Sequence, residues 1–261
     1  MSGAVLETHG LTIRFGGHVA VDAVSCAFSA GTLTAIVGPN GAGKTTYFNL
    51  VSGQLRPSAG RVLLRGEDIG GLAAPERTKK GLGRAFQLTN LFPNLTVLEN
   101  VRLAVQSRAG IGLDLWSMWS RRRDLIDRAF AYLASARLEG RADAVAGALP
   151  HGDQRKLEVA ILLALEPDVF MFDEPTAGMS VDEVPVILDL IQAIKRRGDK
   201  TVLLVEHKMD VVRTLADRIV VLHNGQLVAD GKPAEIIASP IVQQAYLGLD
   251  PAEVGAEAAA P

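Results

Sequence analysis

Gly38-Pro39-Asn40-Gly41-Ala42-Gly43-Lys44-Thr45 is the stretch that most narrows what this chain can become. Its glycines permit backbone turns that let successive N–H groups converge on phosphate oxygens, and a lysine and a threonine close the pattern. Its setting suits that role. Leu33-Thr34-Ala35-Ile36-Val37 is an almost unbroken apolar run, as in a strand buried on both faces, and Thr46-Tyr47-Phe48-Asn49-Leu50 reads as the start of a helix. A helix N-terminus favours anions, so strand, loop and helix together predict a nucleotide phosphate site. Lys44 then reaches the β- and γ-phosphates of ATP, the Thr45 hydroxyl ligates Mg²⁺, and Thr46 lies beside them.

A second apolar run, Asp168 to Phe172, ends in Asp173-Glu174, and a third, Thr201 to Val205, ends in Glu206-His207. After a phosphate loop, a strand-end aspartate suits the Mg²⁺ shell and an adjacent carboxylate suits polarisation of an attacking water. Between these runs, Val184, Ile187, Leu188, Ile191 and Ile194 recur at helical spacing and stop at Arg196-Arg197-Gly198. The later half therefore reads as β/α. Earlier, Leu11 to Phe15 and Val19 to Phe28 flank Gly16-Gly17 as antiparallel strands, and Ile219 to Leu222, Asn224-Gly225 and Leu227-Val228 form a hairpin with a type I′ turn.

Residues from about 91 to 165 are helix-forming, rich in Arg and Ala, and hold both tryptophans, Trp116 and Trp119. They predict a helical subdomain inserted in the core. The expected fold class is α/β, a P-loop NTPase core with an antiparallel β subdomain and this insertion, as one domain over residues 1–250. The Ala- and Glu-rich tail 251–261 has little to bury and is expected to be disordered. Arg121-Arg122-Arg123 reads as a solvated helix face rather than a docking patch.

A formal net charge of −2 provides no basic field for nucleic acid, which is not expected as a partner. Cys26 is the only cysteine, so neither an internal disulfide nor a multi-cysteine metal site can form. The N-terminus lacks the apolar core of a secretory signal. The most apolar stretch, Val159 to Phe172, is broken by Glu166, Pro167 and Asp168, short of the roughly 20 residues a spanning helix needs. Any membrane involvement is left to another subunit.

Leu149-Pro150-His151-Gly152-Asp153-Gln154-Arg155, just upstream of the Asp-Glu strand, resembles the signature motif of ABC ATPases, usually Leu-Ser-Gly-Gly-Gln. Gln87, in Arg84-Ala85-Phe86-Gln87, looks like the Q-loop glutamine that couples Mg²⁺ to a transmembrane subunit. His207 looks like the switch histidine on the γ-phosphate, and Phe15 like the aromatic that stacks on adenine. The resemblance runs from Leu6 to Gly248. The Gly-Asp-Gln-Arg form of the signature, the loop Glu174-Pro175-Thr176-Ala177-Gly178-Met179-Ser180, the run Val205 to Met209 and Ala245-Tyr246-Leu247-Gly248 look like the branched-chain amino-acid importer ATPases, a type that urea, amide and aromatic-acid importers share.

That resemblance implies a transport-coupled ATPase on the cytoplasmic face of a bacterial inner membrane. It implies as partners a second ATPase subunit, two transmembrane permeases and, indirectly, a periplasmic solute-binding protein. It also implies a composite site: ATP held by Phe15, the 38–46 loop and Gln87 of one subunit meets Pro150, His151, Gly152 and Asp153 of the other. Thr45, Gln87 and Asp173 surround Mg²⁺, and Glu174, His207 and Lys44 serve catalysis. Two positions depart from the pattern, Pro150 where Ser is usual and Ser180 where Asp is usual, which predicts unequal ATP sites. The alternatives are an ATPase of a lipid- or lipopolysaccharide-extracting system, a soluble ABC ATPase of chromosome, repair or ribosome type, and a small-molecule P-loop kinase. The soluble types usually carry a long coiled coil, zinc cysteines or two cassettes, none of which is in this chain, and a kinase leaves the signature and His207 unexplained.

Overall fold

The computed structural model describes residues 3–85, 91–110, 123–239 and 242. Gln87, Trp116, Trp119, Arg121, Arg122, the run Ala245 to Gly248 and the 251–261 tail lie outside the described residues.

Strands β1 (Ala4–Phe15) and β2 (His18–Ser29) pair antiparallel across Gly16-Gly17. Then come β3 (Leu33–Val37), α1 (Lys44–Ser52), β4 (Ala59–Leu64), β5 (Glu67–Asp68), α2 (Ala74–Lys79) and β6 (Leu82–Ala85). Among the described residues, the α-helices before the next strand are α3 (Val97–Arg108), α4 (Arg123–Ser135) and α5 (His151–Leu165). The rest alternates: β7 (Val169–Asp173), α6 (Val184–Arg196), β8 (Thr201–Val205), α7 (Met209–Leu215), β9 (Arg218–His223), β10 (Gln226–Gly231) and α8 (Pro233–Ile237).

These strands make a four-stranded antiparallel sheet, β2-β1-β4-β5, and a six-stranded sheet, β10-β9-β3-β8-β7-β6. In the second, β9, β3, β8, β7 and β6 run parallel, and only β10 is antiparallel. Every residue of β3, β7 and β8 is buried, which explains their continuous apolar sequence. Alternation still assigns sides. Phe170 and Phe172 pack with Leu157 and Ala160 of α5 and Ile187 and Ile191 of α6, whereas Val169 and Met171 pack with Phe48 and Leu50 of α1 and with the antiparallel sheet. Each such large apolar side chain contributes about 1.5–3 kcal/mol by leaving water.

The two sheets are joined through α1. The Tyr47 hydroxyl and Thr8 Oγ1 are 3.0 Å apart, and the Cys26 N–H donates to the same Thr8 oxygen. Burial pushes the neighbouring Cys26 thiol up to about 11, which keeps it protonated and unreactive at neutral pH. The C-terminal hairpin turns at Asn224 (φ 48°) and Gly225 (φ 78°), the double positive φ of a type I′ turn. Because β3, β7 and β8 are parallel neighbours, the Gly38 loop, Asp173-Glu174 and Glu206-His207 all leave the sheet at one edge, where open α/β sheets bind ligands.

Candidate nucleotide site

The loop from Gly38 to Gly43 closes around its own lysine. Lys44 Nζ donates to the carbonyls of Gly38 at 2.6 Å and Pro39 at 2.9 Å. A side chain at Gly38, whose φ is 154°, would collide with the Leu222 carbonyl oxygen, so strand β9 admits only glycine there. The Ala42 carbonyl accepts the Gly225 N–H at 3.0 Å, so the hairpin turn buttresses the loop. Asn40, Gly41 and Thr45 are exposed, while Lys44 is buried. That burial lowers the Lys44 pKa, and the negative charges of Glu174 and Asp173 oppose the shift. A buried ammonium at a helix N-terminus is disposed to receive a phosphate.

Asp173 ends β7 as a buried carboxylate, and its Oδ2 accepts from Arg84 at 2.7 Å. Glu174 follows with φ 49°, and its N–H donates to the Val205 carbonyl at 2.9 Å, which fixes its backbone to the end of β8. The Glu174 and His207 side chains are both partly open to solvent, with Glu174 Oε1 3.9 Å from His207 Nδ1. Beneath them Glu206 is fully buried. Its carboxylate accepts from Thr176 Oγ1 at 2.6 Å, the His207 N–H at 2.9 Å and the Lys208 N–H at 3.2 Å, which ties the loop after β7 to the loop after β8.

No group of three or more His, Cys, Asp and Glu side chains that could cage a metal exists among the described residues. A hydroxyl at Thr45 and a carboxylate at Asp173 are instead the sparse, hard-oxygen donors that suit Mg²⁺ shared with phosphates.

At the other candidate surface, Pro150 is the N-cap of α5, one position earlier than the first turn, because helical geometry begins at His151. Proline carries no N–H, and it offers no side-chain cap. Its carbonyl accepts the Gln154 N–H at 3.0 Å. Pro150 and His151 are exposed, Gly152 is buried, and Asp153 pairs with Lys156 at 2.8 Å. The Glu183 carboxylate lies against Gly152 so closely that a Cβ there would overlap it. Its Oε2 accepts from Ser180 Oγ at 2.9 Å and the Ser180 N–H at 3.2 Å. Phe15 is half-exposed at the end of β1, opposite His18.

No sequence motif predicts a role for Arg84, Glu206, Thr176 or Glu183. Two of them carried a signal: Arg84 is a cation inside a short strand, and Glu206 extends an apolar one, and a buried charge needs a partner.

A family model described as ABC transporter matches residues 21–177, and one described as branched-chain amino acid ATP-binding cassette transporter matches residues 226–254. The high-affinity branched-chain amino acid transport ATP-binding protein LivG of Escherichia coli K12 is 38% identical over 95% of this chain and 99% of its own. A probable branched-chain amino acid transport ATP-binding protein LivG of Archaeoglobus fulgidus is 32% identical over 96% and 98%. Among solved structures, the ADP conformation of an ATP-binding cassette of an ABC transporter superposes with a TM-score of 0.80 at 29% identity, over 94% of this chain and 99% of the other. A dimeric cassette in a post-hydrolysis state, bound to ADP and Pi, gives 0.75 at 28% identity over 87% and 98%. With one model spanning more than half of the chain and relatives of nearly equal length aligned end to end, this chain belongs to the ABC transporter family, as one of its ATP-binding, ATP-hydrolysing domains.

Proposed function

We propose that this chain powers an importer of branched-chain amino acids or a related small polar solute. It works as one half of a nucleotide-sandwiching pair on the cytoplasmic face of a bacterial inner membrane. The observation that carries the transport reading is the end-to-end likeness to branched-chain amino acid transport ATP-binding proteins, supported by the match at residues 226–254. No helix among the described residues is long and apolar enough to cross a membrane; the likeness to transport ATP-binding proteins supports a permeation path supplied by two permease partners. The exposed apolar side chains of Phe92, Leu95 and Val145 suit their docking. A periplasmic binding protein delivers the solute.

In the proposed cycle, the N–H groups of the 38–43 loop and the Lys44 ammonium hold the β- and γ-phosphates, and Phe15 stacks on adenine. Thr45, Asp173 and Gln87 would hold Mg²⁺, which supplies charge neutralisation on the phosphate oxygens when bound. Glu174 accepts a hydrogen bond from the attacking water and orients it, and His207, within reach of the same space, donates to the γ-phosphate. The start of α5, from Pro150 to Asp153, faces the γ-phosphate of ATP held by the opposite subunit, which completes each site only on closure.

Copurification from native membranes followed by reconstitution tests this reading. Expected is a complex with two permeases in which an amino-acid-loaded binding protein stimulates ATPase activity. Recovery with lipid-extracting membrane subunits and no binding protein would overturn it.

A further inference from the structure

Arg84 is a cation in the interior, with its side chain only 7% exposed. It lies on β6, the edge strand that pairs with β7 in register Arg84↔Met171. Its guanidinium reaches in two directions. One amino group donates to Asp173 Oδ2 at 2.7 Å, at the end of β7. The other donates to Asn49 Oδ1 at 2.7 Å, Ser52 Oγ at 2.9 Å and Gln54 Oε1 at 3.1 Å, all on α1 or just beyond it. The guanidinium also covers the Phe48 ring, 5.4 Å from its centroid. Burial lowers the Arg84 pKa, and Asp173 opposes that shift.

The geometry has a consequence for the metal. The two described residues proposed to hold Mg²⁺ come from separate elements, Thr45 from the first turn of α1 and Asp173 from the tip of β7. Arg84 is hydrogen-bonded to both elements at once. Among the described residues only one Asp173 oxygen is engaged, so the carboxylate is oriented with Oδ1 unused. A planar, multidentate guanidinium is suited to this bridging, and a lysine ammonium, with a point charge and no fork, is not.

We propose that Arg84 is a positioning residue for the metal: it fixes the Asp173 carboxylate relative to α1, so that the two Mg²⁺-binding elements stay in register before nucleotide arrives. The proposal rests on the reading of Asp173 as a metal ligand, and the experiment separates the two. The purified full chain is titrated with Mn²⁺ in the presence of ADP, read by the paramagnetic resonance signal of free Mn²⁺. ADP binding is measured in parallel with the metal chelated. Wild type, Arg84→Met, Arg84→Lys and Asp173→Asn are compared, together with the melting-temperature rise that ADP gives with and without Mg²⁺.

Arg84→Met is expected to weaken Mn²⁺ binding roughly tenfold while metal-free ADP affinity stays within about twofold, and to shrink only the Mg²⁺-dependent part of the melting shift. Arg84→Lys should recover less than half of the loss. Equal losses with and without metal would make Arg84 a packing residue, and an unchanged or tighter Mn²⁺ affinity in Arg84→Met would also overturn the proposal. If Asp173→Asn leaves Mn²⁺ affinity unchanged, the metal reading of Asp173 itself fails.

Discussion

Around Gly38 to Lys44 the chain provides its own support. The lysine is buried, the loop is braced by the β9–β10 turn, α1 is pinned to the antiparallel sheet by Tyr47 and Thr8, and Asp173 is held by Arg84. At the start of α5 much less is fixed. Pro150 and His151 face solvent, no side chain at the N-cap bonds the first turn, and the Glu183 carboxylate of the same chain lies against Gly152. One surface is organised by the core that made it, and the other presents a helix end outward, as expected of a half-site that another subunit completes. Damage to the first should therefore reach folding and binding together, whereas changes at the second should alter turnover in the assembled complex alone.

The largest effect is expected from Gly38→Ala. Its Cβ would collide with the Leu222 carbonyl at a φ that disfavours side chains, so the loop or β9 must move. Nucleotide affinity should fall more than about a hundredfold, and stability by roughly 2–4 kcal/mol, as for other strained backbone substitutions. Calorimetric binding and thermal melts check both. A stable variant that binds ATP normally would break the contrast, since the loop would then not depend on its strand neighbours.

A smaller effect, chiefly on turnover, is expected from Pro150→Ser. Serine restores a hydroxyl and an N–H at the N-cap of α5, each able to donate to a phosphate from the opposite subunit. One added hydrogen bond to a charged group is worth about 1.5–3 kcal/mol, or roughly ten- to a hundredfold in rate if it strengthens in the transition state. ATPase rates in the assembled transporter, with the Glu174 site silenced, report it. Melting temperature should rise by at most a few degrees through the added cap, and single-chain nucleotide affinity should stay unchanged. A rate equal to wild type or lower would remove Pro150 as a source of unequal sites.

Much of this architecture was legible in the residues. The three apolar runs ending in Gly38, Asp173 and Glu206 are strands buried on both faces, and only burial on both faces yields such runs. Asn224-Gly225 named its turn type because few residues accept two positive φ angles in succession. What stayed hidden depends on pairings distant in sequence. Arg84 meets Asp173 across 89 positions, and Thr176 meets Glu206 across 30, contacts that no local pattern encodes. Whether Pro150 would cap α5 or enter its first turn was open for another reason, since proline suits both places and only the structure sets it at the N-cap.

Glu174→Gln in the assembled transporter, with the other ATPase site inactivated, measures most directly whether this chain completes a hydrolytic sandwich. The amide keeps the shape of Glu174 but cannot accept a proton from water. Turnover should fall by about a hundredfold or more, ATP affinity should stay within about twofold, and a closed ATP-bound pair should accumulate by size-exclusion chromatography. Hydrolysis at the wild-type rate, or loss of ATP binding together with turnover, would contradict the assignment of Glu174 and the shared site built around it.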